Sequence, residues 1–186
     1  VRCFLSLEIP ALVRRACIAA TQPLRNFSSV AFVAEPQLHV TLRFLENVGE
    51  TEIAALRAAV LAPWPVAMLS VHGLAQFPAR GSPRVIWAGL RGDLDAVSAI
   101  ARRLDEVALG AGVAADDRGF HPHITLGRCK SGFGGARIER AVRESAEVAI
   151  AATFFATRVV LYSSRLSQDG PIYTELAAGD CAAGTS

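Results

Sequence analysis

The chain has almost no lysine. Of its 19 Lys and Arg residues only Lys130 is lysine. Against 17 Asp and Glu the formal net charge is +2, too small for a protein that coats nucleic acid by bulk charge. The arginines offer planar forks suited to phosphate, although the same bias arises in any chain encoded at high GC content. Cysteine is sparse and scattered. Cys3, Cys17, Cys129 and Cys181 form no C-x-x-C, which excludes a zinc ribbon and a dense disulfide framework. Reduced thiols and a cytoplasmic location are the expectation. No apolar run reaches the ~18 residues of a membrane span, and V-R-C-F-L-S-L-E-I-P is too short and too charged for a signal peptide. Histidine is also scarce, with four in 186 residues.

Two of those four open the same phrase. His39 begins H-V-T-L and His123 begins H-I-T-L. Around them strands and helices interleave. Alternation predicts strands over 2–8, 38–45, 66–77 (bent at Gly73), 84–90, 123–126, 154–164 and 171–176. Helical spacing predicts helices over 10–20, 50–61, 93–109 and 137–149. The stretch 93–109 is the clearest, with Leu94, Val97, Ile100, Ala101, Leu104, Val107 and Ala108 on one face. S-Q-D-G carries hairpin chemistry, and 177–186 reads as a loose tail. Apolar residues make up 52% of the chain, ample for a core. No compositional linker divides it, so 1–186 is expected to be one bilobed domain whose halves form a weak internal repeat.

In a strand, residues i and i+2 share a face. His39 and Thr41 therefore point one way while Val40 and Leu42 point the other. His123 and Thr125 stand in the same relation to Ile124 and Leu126. Two such lobes facing one another would bring two imidazoles and two hydroxyls together. One neutral and one protonated imidazole suit in-line cleavage of a phosphodiester. The hydroxyls of Thr41 and Thr125 would donate to non-bridging oxygens, with Arg128 supplying charge. Strict alternation turns Arg128 away from Thr125, but Gly127 gives the backbone freedom to re-aim it. No metal or other cofactor enters this scheme. His121 and His123 also form H-x-H, a possible metal pair, but no third ligand accompanies them. His121 reads as support for the strand entrance and His72 as a structural histidine.

The two phrases match the H-x-T-x motifs of the 2H phosphoesterase superfamily. Their context is C-F-L-S-L-E-I-P, L-H-V-T-L-R-F-L-E-N-V-G, F-P-A-R-G-S-P-R-V-I-W-A-G-L, F-H-P-H-I-T-L-G-R and V-V-L-Y-S-S-R-L-S-Q-D-G-P-I-Y-T-E-L. In that order they resemble the RNA 2′,3′-cyclic phosphodiesterase branch, also called the LigT-like or 2′-5′ RNA ligase family. The resemblance runs from about residue 2 to residue 176. It implies an α+β fold, bilobed and pseudo-two-fold, with antiparallel sheets flanking a central cleft and helices outside. It implies hydrolysis of RNA or nucleoside 2′,3′-cyclic phosphate to a 2′-phosphomonoester. His39 would be the proton donor and His123 the acceptor, with Thr41, Thr125 and Arg128 on the phosphate. The implied partners are RNA ends or nucleoside cyclic phosphates, met by a monomer away from membranes. Arg43, Arg84 and Lys130 are the other basic candidates for RNA contact. The alternatives are 2′-5′ ligation of RNA ends and a non-catalytic nucleotide- or RNA-binding module.

Overall fold

The computed structural model describes residues 1–168 and 170–182. Among the described residues, ten strands and four α-helices follow one another, with two short 3-10 turns between them. They run β1 (Cys3–Leu7), α1 (Ala11–Ala20), β2 (Val30–Phe32), β3 (Val40–Leu45), α2 (Glu50–Val60), β4 (Trp64–Pro65) and β5 (Ala67–Phe77). Then come β6 (Val85–Gly92), α3 (Leu94–Gly110), β7 (His123–Cys129), α4 (Gly135–Glu144), β8 (Ala149–Ala156), β9 (Arg158–Ser167) and β10 (Gly170–Ala182).

The strands form one open sheet made of two antiparallel halves. The first half is ordered β10-β9-β1-β3 and the second β7-β6-β5-β8. The halves meet where β3 lies against β7, through the single backbone pair Val40 and Ile124. Beyond that point β7 pairs instead with β2, while β4 runs parallel to the end of β10. Both junction residues are fully buried.

Each motif strand carries a bulge directly after its threonine. Thr41 stands opposite Ser6 and Arg43 opposite Leu5, so Leu42 has no partner on β1. Thr125 stands opposite Trp87 and Gly127 opposite Ile86, so Leu126 has none on β6. A bulge adds one residue and reverses the alternation beyond it. Arg128 pairs with Val85, which shares a face of β6 with Trp87, so Arg128 lies on the face of Thr125. By the same geometry Phe44, opposite Phe4, lies on the face of Thr41. The two bulged leucines are buried in the core.

The helices cover the opposite face. α2 packs on β9 and β10, α3 on β3 and β5, α1 on β5 and β8, and α4 on β5. The spacing read in α3 is the one that packs: Val97, Ile100, Ala101, Leu104 and Ala108 are buried, and Leu94 and Val107 are partly so. Burial of one such large aliphatic side chain stabilises by about 1.5–3 kcal/mol. Arg43 belongs to this face too. It is 6% exposed, with Nε 3.1 Å from Asp105 of α3 and Nη1 3.6 Å from Asp116. Its Nη2 donates to the Ala114 carbonyl at 2.6 Å. That overturns Arg43 as a candidate RNA contact: it is a buried clamp on the segment leading to His123.

Three other expectations change. The helix expected over 137–149 ends at Glu144, and Ala149 already belongs to β8. The single strand expected over 154–164 is two, because the chain leaves the second half at β8 and joins the first at β9, with Thr157 at the crossing. The expected loose tail is strand through Ala182. Ala177–Asp180 pair with β9, and Cys181 and Ala182 with β4. Residues 183–186 lie outside the described residues.

Candidate active site

The junction pair sets the symmetry of the site. Antiparallel strands that meet at Val40 and Ile124 place the flanking residues in crossed register. One step either way, His39 faces Thr125 and Thr41 faces His123. The two phrases are thus related by an approximate two-fold axis through one backbone pair.

Both imidazoles are held in the same way. His39 Nδ1 lies 2.7 Å from the Gln37 carbonyl oxygen, and His123 Nδ1 lies 2.6 Å from that of His121. A carbonyl only accepts, so in each ring Nδ1 carries the proton. Nε2 is left without a proton in both neutral rings. In His39 it lies 3.0 Å from Thr41 Oγ1, whose hydroxyl donates to it while the ring is neutral.

Each ring sits in an aromatic nest that short-range patterns did not reveal. His39 stacks on Phe4 with centroids 4.8 Å apart and meets the edge of Tyr173 at 5.9 Å. Phe4 in turn stacks on Tyr162 at 5.3 Å. His123 meets Phe77 edge-on at 5.3 Å, Trp87 at 5.5 Å and His121 at 6.0 Å. The signal was present in β1, where Phe4 and Ser6 share the face of Thr41, but only strand pairing shows it.

Burial decides the protonation of these rings. His39 is pushed down from 6.5 to about 4 by burial, with the charge on His123 adding to it and the Gln37 carbonyl opposing it. His123 is also lowered, by burial first, then by the charges of His121 and Arg128, against the pull of the His121 carbonyl. Arg128 also draws on Tyr173, whose hydroxyl burial otherwise raises. The guanidinium thus acts electrostatically on the His123 nest and on the His39 nest at once. Its own side chain is exposed, and among the described residues it makes no ion pair.

Two buried polar atoms beside the threonines have no hydrogen-bond partner among the described residues: Ser6 Oγ, from the residue opposite Thr41, and Trp87 Nε1, from the residue opposite Thr125. His121 is exposed, and its ring meets Trp87 edge-on at 4.9 Å. His72 lines a cavity of about 350 Å³ with Trp87, Arg91 and His121. Among the described residues no three His, Cys, Asp or Glu side chains come together as a metal would require. No helix there is long and apolar enough to cross a membrane.

The arrangement has relatives. An RNA 2′,3′-cyclic phosphodiesterase of Aeropyrum pernix is 29% identical over 147 residues, 77% of this chain and 82% of that protein. The crystal structure of TT0787 from Thermus thermophilus superimposes with a TM-score of 0.81 at 25% identity, covering 100% of both chains. Escherichia coli LigT complexed with 3′-AMP superimposes with a TM-score of 0.75 at 25% identity, covering 97% of each chain. The family model described as the 2′-5′ RNA ligase superfamily matches residues 13–167, a span that takes in both motif strands and the junction between them. On that match the chain belongs to the 2′-5′ RNA ligase superfamily.

Proposed function

We propose that the protein hydrolyses RNA or nucleoside 2′,3′-cyclic phosphates to 2′-phosphomonoesters by acid–base catalysis between His39 and His123, without a metal. The observation that carries this reading is the matched pair of imidazoles. Each has Nδ1–H tied to a carbonyl, and each keeps Nε2 for the reaction, across a two-fold axis at Val40 and Ile124. The relatives named as RNA 2′,3′-cyclic phosphodiesterases support the substrate class.

In this reading the cyclic phosphate lies over the junction. Neutral His123 takes a proton from water at Nε2 as the water oxygen attacks phosphorus. The P–O3′ bond breaks in line with the bond being formed. Protonated His39 gives its Nε2 proton to the departing O3′. The sum is addition of one water, and the phosphate remains on O2′. Thr41, Thr125 and Arg128 hold the non-bridging oxygens as charge builds on them. The choice of His39 as donor follows the family resemblance.

The lowered pKa of His39 has a place in this cycle. In the free protein burial holds the ring neutral, with Thr41 donating to Nε2. An arriving phosphodiester brings a negative charge that favours the imidazolium. Once Nε2 is protonated it no longer accepts from Thr41, and that hydroxyl is released to donate to a phosphate oxygen. Substrate thus arms its own acid.

The test is turnover of cytidine 2′,3′-cyclic phosphate by protein kept in EDTA. Sustained hydrolysis is expected. Binding without turnover would favour a non-catalytic nucleotide module, and rescue by a divalent ion would favour a metal at His121 and His123.

A further inference from the structure

Both reactive histidines lean on a carbonyl two residues back in the chain, but the two carbonyls are not held alike. Gln37 ends a single helical turn over Glu35–Gln37, where its N–H donates to the Ala34 carbonyl at 2.9 Å. Its side chain reaches away from that turn. Gln37 Nε2 donates to the Pro171 carbonyl at 2.6 Å, joining points 134 residues apart in the chain. Pro171 lies at the start of β10, two residues before Tyr173, the ring that meets His39 edge-on. The arm formed by β9 and β10 thus touches the His39 assembly twice, once through a ring and once through a carbonyl. On the His123 side, His121 is exposed, and among the described residues its side chain makes no hydrogen bond that would fix its own peptide.

We propose that Gln37 is the positioning residue for His39. Its amide ties the 35–37 turn to β10, and this fixes the carbonyl that selects the Nδ1–H form of the imidazole and aims Nε2. A carbonyl free to rotate would let the proton move to Nε2, and neutral His39 would then turn an N–H towards Thr41 in place of a lone pair. The neutral Nε2–H form is too weak an acid for O3′, and the imidazolium formed from it would lack the carbonyl that accepts from Nδ1–H, holds the ring in place and aims Nε2. Gln37 itself touches neither the reacting atoms nor the other imidazole. The kinetic part of the proposal rests on the reading of His39 as proton donor; the structural part does not.

The experiment compares wild type with Gln37→Met, which keeps the length of the side chain and removes the donor, and with Gln37→Ala. Nitrogen-15 spectra of the imidazoles in substrate-free protein report which ring nitrogen carries the proton. Wild type is expected to show His39 as the Nδ1–H form, and both variants a mixture, with His123 unchanged as an internal control. Turnover of cytidine 2′,3′-cyclic phosphate should lose about tenfold or more in kcat with KM within about twofold. If Gln37→Ala fails to fold, Gln37→Met decides alone. A wild-type tautomer and wild-type kcat in Gln37→Met overturns the proposal. So does a lower kcat with an unchanged tautomer, since Gln37 would then act by another route. Absence of turnover in wild type strikes the proposed function and leaves the spectra to judge Gln37.

Discussion

Phe44 and Arg128 occupy equivalent places on the two motif strands, each three residues past a motif threonine and each returned to that threonine's face of the sheet by a bulged leucine. The sheet is nearly symmetric about Val40 and Ile124, yet one half presents an aromatic ring at this place and the other a guanidinium. Arg118 also lies over the Phe44 ring at 5.5 Å, but its guanidinium is paired with Asp116, whereas Arg128 makes no ion pair among the described residues.

Arg128→Ala is therefore expected to lower kcat/KM on a cyclic phosphate by roughly 10²-fold, the loss of one charge-assisted phosphate contact. Lys130 lies beyond the end of β7, and Lys130→Ala should stay within about twofold. Steady-state kinetics of the two variants side by side checks this. Equal small effects would remove Arg128 from the phosphate clamp.

His39→Ala and His123→Ala should each cost about 10²-fold or more in turnover while circular dichroism shows a folded protein. The pH profiles carry a finer expectation. kcat/KM reports the free protein, where His39 is held near 4, so it should already be falling as the pH rises towards neutrality. The profile of kcat reports the complex, where bound phosphate raises His39, and its falling limb should lie at higher pH. Superimposable falling limbs would contradict the idea that substrate charges His39.

Stability should follow the same group. His39 titrates at about 4 in the folded protein and near 6.5 when unfolded. The unfolded chain thus takes up the proton first, and stability is full above 6.5 and lost as pH falls towards 4. The slope is at most about 1.4 kcal/mol per pH unit for one group. His39→Gln should flatten the denaturant midpoint measured across that window. His123, also lowered, contributes in the same direction.

Arg43 offers a test away from the chemistry. Its guanidinium is buried between Asp105 and Asp116, so Arg43→Ala leaves Asp105 without its partner while Asp116 keeps Arg118 at 2.7 Å. A loss on the order of 3–5 kcal/mol is expected for breaking such a pair, somewhat less because Asp105 is 38% exposed at its side chain. Urea denaturation measures it. A change within about 0.5 kcal/mol would place the pair among inert surface contacts.

The parts of this fold that were legible in sequence are those written at short range. The face of α3 and the alternation of β3 and β7 repeat within a few residues, and the paired H-x-T phrases need no partner strand to be noticed. What was hidden depends on pairing. The bulges at Leu42 and Leu126 exist only relative to β1 and β6. They explain why alternation along β7 puts Arg128 on the wrong face. Thr157 looks like any strand residue, yet the chain changes half-sheets there. Arg43 reads as an exposed cation beside the motif until α3 is laid behind it. Gln37 and Pro171 lie 134 residues apart, beyond any local pattern.

The measurement closest to the central claim is the identity of the product formed in oxygen-18 water from cytidine 2′,3′-cyclic phosphate, with EDTA present, read by phosphorus NMR. With His123 activating water and His39 protonating O3′, the expected product is cytidine 2′-phosphate carrying one heavy oxygen on phosphorus. A dominant 3′-phosphate would reverse the bound ribose and both histidine roles, and no product at all would contradict the proposed chemistry.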